Sequence, residues 1–390
     1  MAERRRRGAV PAVNAEASTT SLELALAHAG KLLDSDPALA AQQATEILRV
    51  VGEHPRALRL LAAAHARLGD DQAAVGILGP LARACPDWAQ AHRDFGGALA
   101  RLGRYDEAVA ALRRATALQP EAPGAWLALA DALGANGDAA GADAAYLRHV
   151  QQSAKDPAML AIGKALFENR LPEAEAPLRA RLQRAPTDVA AIRMLAEVAA
   201  RLGRDDDALA LLTRCMELAP GFHAARKNLA QVLNRGNRQA EALEQVEILL
   251  ASDPAHPSHL NLKAVILGRI GDYAQAIALY EQLLAAHPQH PQLWMSNGHA
   301  LKTAGFQDRA IAAYRHAIEL DPGCGGAYWW PTSRPCVSTP TTSPRCAQLA
   351  RGDLGDEPRL HFDFALGKAL EDAGDYERSF RRTSTAMRCD

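Results

Sequence analysis

Apolar and small side chains recur along this chain as pairs of helical stripes, each pair closed by a turn and reopened at a fixed distance. In the stretch QLWMSNGHALKTAGFQDRAIAAYRHAIELDP, Trp294, Gly298 and Leu301 share one helix face, and Ala310, Ile311, Tyr314 and Ala317 share another after Gly305. The pattern predicts two antiparallel helices across a short turn. Gly305 stands where the first must stop, because a residue without a Cβ adopts the left-handed conformation that commonly ends a helix. Gly69, Gly103, Gly137, Gly203 and Gly271 hold the same slot in other units. Asn169 and Asn237 fill it in the remaining two, Asn being the next most tolerant residue type.

The unit repeats. The small residue after each turn falls at Ala74, Ala108, Ala142, Ala174, Ala208, Ala242, Ala276 and Ala310, with gaps of 34, 34, 32, 34, 34, 34 and 34. Seven residues before the turn slot stand Ala62, Gly96, Ala130, Ala196, Ala230, Ala264 and Gly298, small enough for helices to approach closely. Twelve residues after the small residue come Pro86, Pro120, Pro186, Pro220, Pro254, Pro288 and Pro322, none of which can continue a helix. The unit around Ala142 has Ala154 there, with Pro157 three residues on. A period of this length predicts a stacked array of helix pairs, each unable to bury its apolar face alone, so that function lies on an extended surface.

These slots resemble those of the tetratricopeptide repeat, and Trp126, Trp294, Tyr146, Tyr280 and Tyr314 fall in that family's aromatic slots. The resemblance covers residues 54–322 in eight units. It implies an all-α tetratricopeptide-repeat superhelix, an α-solenoid of antiparallel helix pairs, with the first helix of each pair on the concave wall. Ahead of the array, residues 1–20 read as a disordered basic and polar tail. Residues 21–53 read as a degenerate first pair carried by Leu22, Leu24, Leu26 and the stretch from Ala40 to Val51. The unit from about 156 to 186 is two residues short and has Ala158 where a large residue is usual, so a local irregularity is expected there.

Composition narrows the function. Of the 390 residues 48% are apolar but only 5% aromatic, much of the apolar content being the strong helix formers Ala and Leu. Lys plus Arg is 44 and Asp plus Glu is 45, so no global charge draws the chain to nucleic acid or an anionic membrane. No run approaches the roughly 18 to 20 apolar residues that span a bilayer. The apolar stretch after Arg7 is too short and Pro-interrupted for a signal peptide, and six cysteines are no disulfide scaffold. The expectation is a cytoplasmic protein that binds neither nucleic acid nor membrane.

Charge is instead local. Two residues before the turn slot lie Arg67, Arg101, Arg201, Arg235 and Arg269, and ten before it lie Arg59, Arg93, Arg193 and Lys227. On the first helices, which the resemblance places on the concave wall, these form a basic ladder suited to the carboxylates of an acidic protein or peptide ligand, bidentate wherever the residue is Arg. Arg at a helix C-terminus also complements the helix dipole, which is the competing account of the first set. The second set lies about two turns further in, beyond the reach of that account.

Catalytic motifs are missing. The chain has no G-x-x-x-x-G-K-[ST] phosphate loop and no G-x-S-x-G elbow, so neither an enzyme nor a cofactor is expected. His256 with His259 and His287 with His290 form H-x-x-H pairs beside prolines, without a Cys or acidic ligand at metal spacing. Cys336 and Cys346 are ten apart without a matching pair. No metal is expected.

After Pro322 the rhythm fails. Gly323 to Cys346 holds four prolines and three cysteines where the next pair should be, which no packed helix does. Over 347–380 a pair resumes, with Leu366, Gly367, Leu370, Gly374 and Tyr376 back in repeat slots, before an irregular tail at 381–390. The stretch DEPRLHFDFALGKALEDAGDYERSF, with AYW at 327–329, resembles the junction in bacterial proteins where tetratricopeptide repeats lead into a sulfotransferase domain. In such proteins a segment like YW-S-LANLKT precedes the resumed repeat. Codons for Trp330 to Cys346 can be chosen so that the neighbouring frame reads LANLKTVRFDADDVAAM, and those for Arg381 to Asp390 likewise give PHFDGNALR. Two accounts stand: a genuine Pro-rich linker, or a frameshift with a compensating second shift, under which Cys336, Cys346 and Cys389 carry no function.

That resemblance implies a P-R-S-G-type loop holding a 5′-phosphosulfate at a helix N-terminus, and these residues contain none. It therefore implies ancestry, with the chain truncated before the catalytic domain. The face of Leu360, Phe364, Leu366 and Leu370 is then expected to be left mobile, aggregation-prone or packed back on the array. Two functions follow: a non-catalytic scaffold binding a peptide or protein partner, or the substrate-docking repeats of a sulfotransferase that uses a nucleotide phosphosulfate donor and resembles the protein-tyrosine enzymes.

Overall fold

A computed structural model of the chain describes residues 13–321, 371 and 375–386. The described residues form helices joined by turns, with no strand among them. The order is α1 (Val13–Ser35), α2 (Pro37–Val51), α3 (Pro55–Arg67), α4 (Asp71–Ala84), α5 (Ala89–Arg101), α6 (Tyr105–Leu118), α7 (Pro123–Ala135), α8 (Ala139–Ser153), α9 (Pro157–Phe167) and α10 (Leu171–Arg184). There follow α11 (Val189–Arg201), α12 (Asp205–Leu218), α13 (His223–Arg235), α14 (Gln239–Ser252), α15 (Pro257–Ile270), α16 (Tyr273–Ala286), α17 (Pro291–Thr303), α18 (Gln307–Leu320) and α19 (Tyr376–Ala386). Odd-numbered helices up to α17 are the first of each pair. The chain forms two compact units, residues 1–225 and 226–390.

The turn slot behaves as a single device throughout. Its glycines have φ between 73° and 101°, and Asn169 and Asn237 adopt φ 57° and 60°. These are the left-handed positions that reverse the chain between paired helices. The small slot is equally physical: a Cβ on Gly96 would lie 2.5 Å from Leu112 Cγ, and one on Gly298 would lie 2.5 Å from Tyr314 Cε1. The second helix thus packs straight onto the backbone of the first. Elsewhere the slot holds buried alanines, among them Ala62, Ala130, Ala230 and Ala264.

At the N-terminal end α1 begins at Val13, inside the stretch expected to be a disordered tail. After Pro11 no residue before Ser35 disfavours helix strongly except Gly30. Leu26, Ala29, Ala44, Ile47, Ala57 and Leu60 close the core between α1, α2 and α3, with Leu22 packed against it, whereas Leu24 points outward. At the other end α19 runs to Ala386, past the expected limit at 380. The segment 323–346 and the face from Leu360 to Leu370 lie outside the described residues.

The short unit is irregular in a specific way. Twelve residues before the turn slot the neighbouring first helices bury Ala57, Ala91, Ala125 and Ala191, and five before it Ala64, Ala98, Ala132 and Val198. In α9 those positions hold Pro157 and Lys164, and both are exposed. The face that docks each first helix onto the preceding pair is therefore open in α9, leaving Leu160 57% and Phe167 90% exposed. Helix α8 packs instead against α11 and α12, skipping the short pair. Met159, Ile162, Leu166, Leu171, Leu178 and Met194 form the core that ties α9 and α10 to α11.

Polar groups hold the skipped junction. His149 and Asp188 are each 1% exposed; Nε2 of His149 lies 2.9 Å from Asp188 Oδ1, and Nδ1 lies 3.0 Å from the Pro123 carbonyl. Asp188 Oδ1 also accepts the Ala191 amide at 3.0 Å, and Oδ2 accepts from Arg181 Nε at 2.6 Å. Arg181 in turn reaches Asp156 at 2.8 Å. Two longer ties cross the same region: Thr187 Oγ1 to Asp131 at 2.9 Å, and the Gly221 amide to Asp143 at 3.0 Å.

Candidate functional site: the first-helix wall

In the first unit successive first helices α1, α3, α5 and α7 touch one another, which places their outward residues on one continuous wall. The helix period brings the two basic sets onto this wall. There, however, the arginines already have partners. Arg59 pairs with Asp94 at 3.0 Å and lies over the Trp88 ring, and Arg93 pairs with the same carboxylate at 2.8 Å. Arg67 reaches back to Asp34 at 2.6 Å, and Arg101 reaches Asp71 at 2.7 Å. Arg193 and Arg201 share Glu197, and Arg201 also donates to the Leu166 carbonyl at 2.6 Å.

The set nearest the turns thus works between repeats. Arg201 satisfies a carbonyl at the end of α9, and Arg269 donates to the Asn234 carbonyl at the end of α13 and to Asn237 Oδ1 at 2.8 Å. Helix ends leave carbonyls without intrahelical partners, and a guanidinium is well suited to cap them. Each of these arginines complements the dipole of the preceding unit's first helix, a relation that sequence spacing alone does not show.

The second unit presents a different wall. Its first helices α13, α15 and α17 carry Arg226, Lys227, Arg235, Lys263, Arg269 and Lys302 and no Asp or Glu. The helical acids of these three pairs sit on the second helices, as Glu241, Glu244 and Glu247 in α14, Glu281 in α16, and Asp308 and Glu319 in α18, with Asp253, Asp272 and Asp321 at helix ends. Lys263 reaches Glu247 at 2.7 Å. Lys227 is half-buried with no ion pair or hydrogen bond among the described residues, and Arg235 is exposed.

Between α15 and α17 this wall has a cavity of about 250 Å³, lined by Ala264, Val265, Gly268, Ser296, His299, Ala300 and Thr303, with Tyr273 and Tyr280 from α16. Its lining carries no carboxylate, ammonium or guanidinium group. Burial pushes the Tyr280 hydroxyl up to about 12, though a hydrogen bond with Ser296 opposes it. Burial, then the Lys302 charge, holds the His299 imidazole below its ordinary value, with Nδ1 3.0 Å from the Tyr314 hydroxyl. The basic ladder gave no hint of this cavity; the visible signal was Gly268, an unneeded glycine inside a helix.

The titration of the first unit's network follows from the same geometry. Burial pushes the Asp188 carboxyl up, but the hydrogen bond and charge of His149, the Ala191 amide and Arg181 together bring it down to about 2. Asp131 is raised, because burial outweighs its hydrogen bonds with Tyr146 and Thr187. Burial pushes the Cys215 thiol up to about 12, so this cysteine is an inert core residue.

Family models described as tetratricopeptide repeat or TPR repeat match residues 34–92 and 261–324, 96–137, and 189–232. No curated protein matches the chain. Among solved structures, "Crystal structure of MamA" is 14% identical with a TM-score of 0.32, covering 50% of this chain and 92% of that one. "MamA 41-end from Desulfovibrio magneticus RS-1" is 16% identical with a TM-score of 0.34, covering 51% and 93%. No described helix is long and apolar enough to cross a membrane. With repeat models matched over more than half of its residues and the helix pairs in place, the chain belongs to the tetratricopeptide repeat family.

Proposed function

We propose that the chain is a non-catalytic scaffold that holds an acidic protein or peptide segment along its first-helix wall, with the second unit as the main contact. The observation that carries this is the charge segregation over α13–α18: the first helices α13, α15 and α17 are basic without a carboxylate, and the helical acids lie on the second helices α14, α16 and α18. In the first unit the ladder arginines are tied to Asp34, Asp71, Asp94 and Glu197, so a ligand there competes with existing ion pairs. In the second unit Lys227 and Arg269 lie on α13 and α15, which carry no carboxylate of their own.

Fluorescence anisotropy of the full chain against labelled Asp/Glu-rich and Lys-rich peptides tests the reading. The acidic peptide binds, weakens as salt rises, and loses at least about tenfold in affinity with Lys227→Glu and Arg235→Glu combined. Equal binding of both peptides would overturn it.

A second reading rests on the neighbouring-frame agreement over residues 330–346 and 381–390. Under it the same wall docks the acceptor protein of a tetratricopeptide sulfotransferase. Sequencing the transcript across those codons decides: an unshifted frame rejects this reading and leaves the first untouched.

A further inference from the structure

The cavity between α15 and α17 differs in chemistry from the wall around it. The wall is basic, whereas no carboxylate, ammonium or guanidinium group lines the cavity, which has aromatic residues from α16 and the small residues Ala264, Gly268 and Ala300 on its sides. At about 250 Å³ it is smaller than the roughly 300–1,000 Å³ of small-molecule sites and is of the size that one large side chain fills. Arg269 and Lys302 adjoin the lining residues Gly268 and Thr303 in sequence.

Gly268 supplies an independent observation. A Cβ built there meets no atom within 4 Å. Its φ lies outside the left-handed range, so neither the backbone nor a close packing contact requires glycine. Glycine inside a helix disfavours it, and here its effect is to leave space open beside Tyr273 and Tyr280.

We propose that this cavity takes one bulky aromatic or branched aliphatic side chain of the partner segment, with carboxylates on either side of that residue meeting the basic wall. This rests on the acidic-partner reading above and adds an anchor to it. Charge selects and orients the segment over a distance, while the buried anchor fixes its register along the helices. An acidic segment without such a residue binds weakly and without fixed register.

The test uses the full chain and three labelled peptides, identical and Asp/Glu-rich except for a central Phe, Leu or Ala. The wild-type chain binds the Phe or Leu peptide about tenfold or more tighter than the Ala peptide, the order expected for burying one large apolar side chain. Gly268→Leu fills the cavity, keeps the melting temperature at or above wild type, and erases that preference while retaining salt-sensitive binding of all three peptides. Gly268→Ala leaves room and keeps the preference. Equal binding of the three peptides to wild type, or a preference that survives Gly268→Leu, overturns the anchor and leaves the acidic-partner reading standing. Failure of every acidic peptide to bind at low salt overturns both.

Discussion

The pair α5–α6 and the pair α9–α10 are built on one template and joined to the array in opposite ways. In α5 the docking slots hold Ala91 and Ala98, both fully buried, and Gly96 lets Leu112 sit against the helix backbone. In α9 the docking slots hold Pro157 and Lys164, and the helix keeps only its other face in the core. Regular stacking therefore depends on a few small apolar side chains per unit. Where they are replaced, α8 bypasses the pair and the junction is held by His149, Asp188 and Arg181. Apolar packing tolerates exchange of similar side chains; a buried ion network does not tolerate losing one member.

The largest effect should come from breaking that network at its centre. Asp188→Ala removes a helix cap and a carboxylate shared by His149 and Arg181, and leaves the buried His149 Nε2 without its partner and Arg181 with Asp156 alone. The expected cost is about 3–5 kcal/mol, read by urea unfolding. Hydrogen exchange should accelerate first in α8 and α11. Unchanged protection of both helices would mean that apolar contacts alone hold the skipped junction.

Next comes a matched pair at one repeat slot. Leu60 and Leu160 both stand nine residues before the turn residue, yet Leu60 is 8% exposed and Leu160 57%. Leu60→Ala should cost about 2–4 kcal/mol and Leu160→Ala less than about 0.5 kcal/mol, measured by the same unfolding transitions. Similar costs would show that α9 docks like its neighbours in solution.

Much of this architecture could be read from the residues alone. The turn slot, the small slot and the closing proline each answer a local requirement, which is why Asn169 and Asn237 take the same left-handed φ as the glycines. The irregular unit was signalled by its 32-residue gap, and more sharply by Lys164, which stands where neighbouring first helices have Ala or Val. What spacing could not show is partnership at long range. Asp131 of α7 meets Thr187 and Asp143 of α8 meets Gly221 only because their pair meets the chain beyond the short pair. The ladder was visible as a set of residues, but not that Arg59 and Arg93 share Asp94 or that Arg201 reaches Leu166. Ion pairing depends on rotamers and on the rise between units, which a one-dimensional period does not encode.

Acid should also distinguish the two junctions. Asp188 titrates at about 2 in the folded chain against an ordinary 3.8, so its contribution of about 2 kcal/mol is present above pH 4 and disappears as pH falls through 2. Asp131 has the opposite sign: its raised value means that protonation just above the ordinary carboxylate range adds stability as pH falls. Asp188→Asn should flatten the loss between pH 4 and 2, and Asp131→Asn should remove only the gain above it. Leu112→Ala, in the regular pair, lowers stability at every pH without reshaping the profile. A reshaped profile in that variant would place titrating groups in the regular junction as well.

The smallest effect tests whether the turn is common to both pairs although the docking is not. Asn169 pays a modest steric cost at φ 57° that glycine avoids, while glycine adds entropy to the unfolded chain. Asn169→Gly in the short unit should therefore stabilise by about 0.5 kcal/mol, and Gly103→Asn in the regular unit should destabilise by a similar amount. The two changes together should nearly cancel in urea unfolding, since the sites share no contacts. A difference of more than about 1 kcal/mol between their magnitudes would mean that the open face of α9 alters its turn, and that irregularity spreads through the pair instead of stopping at the docking surface.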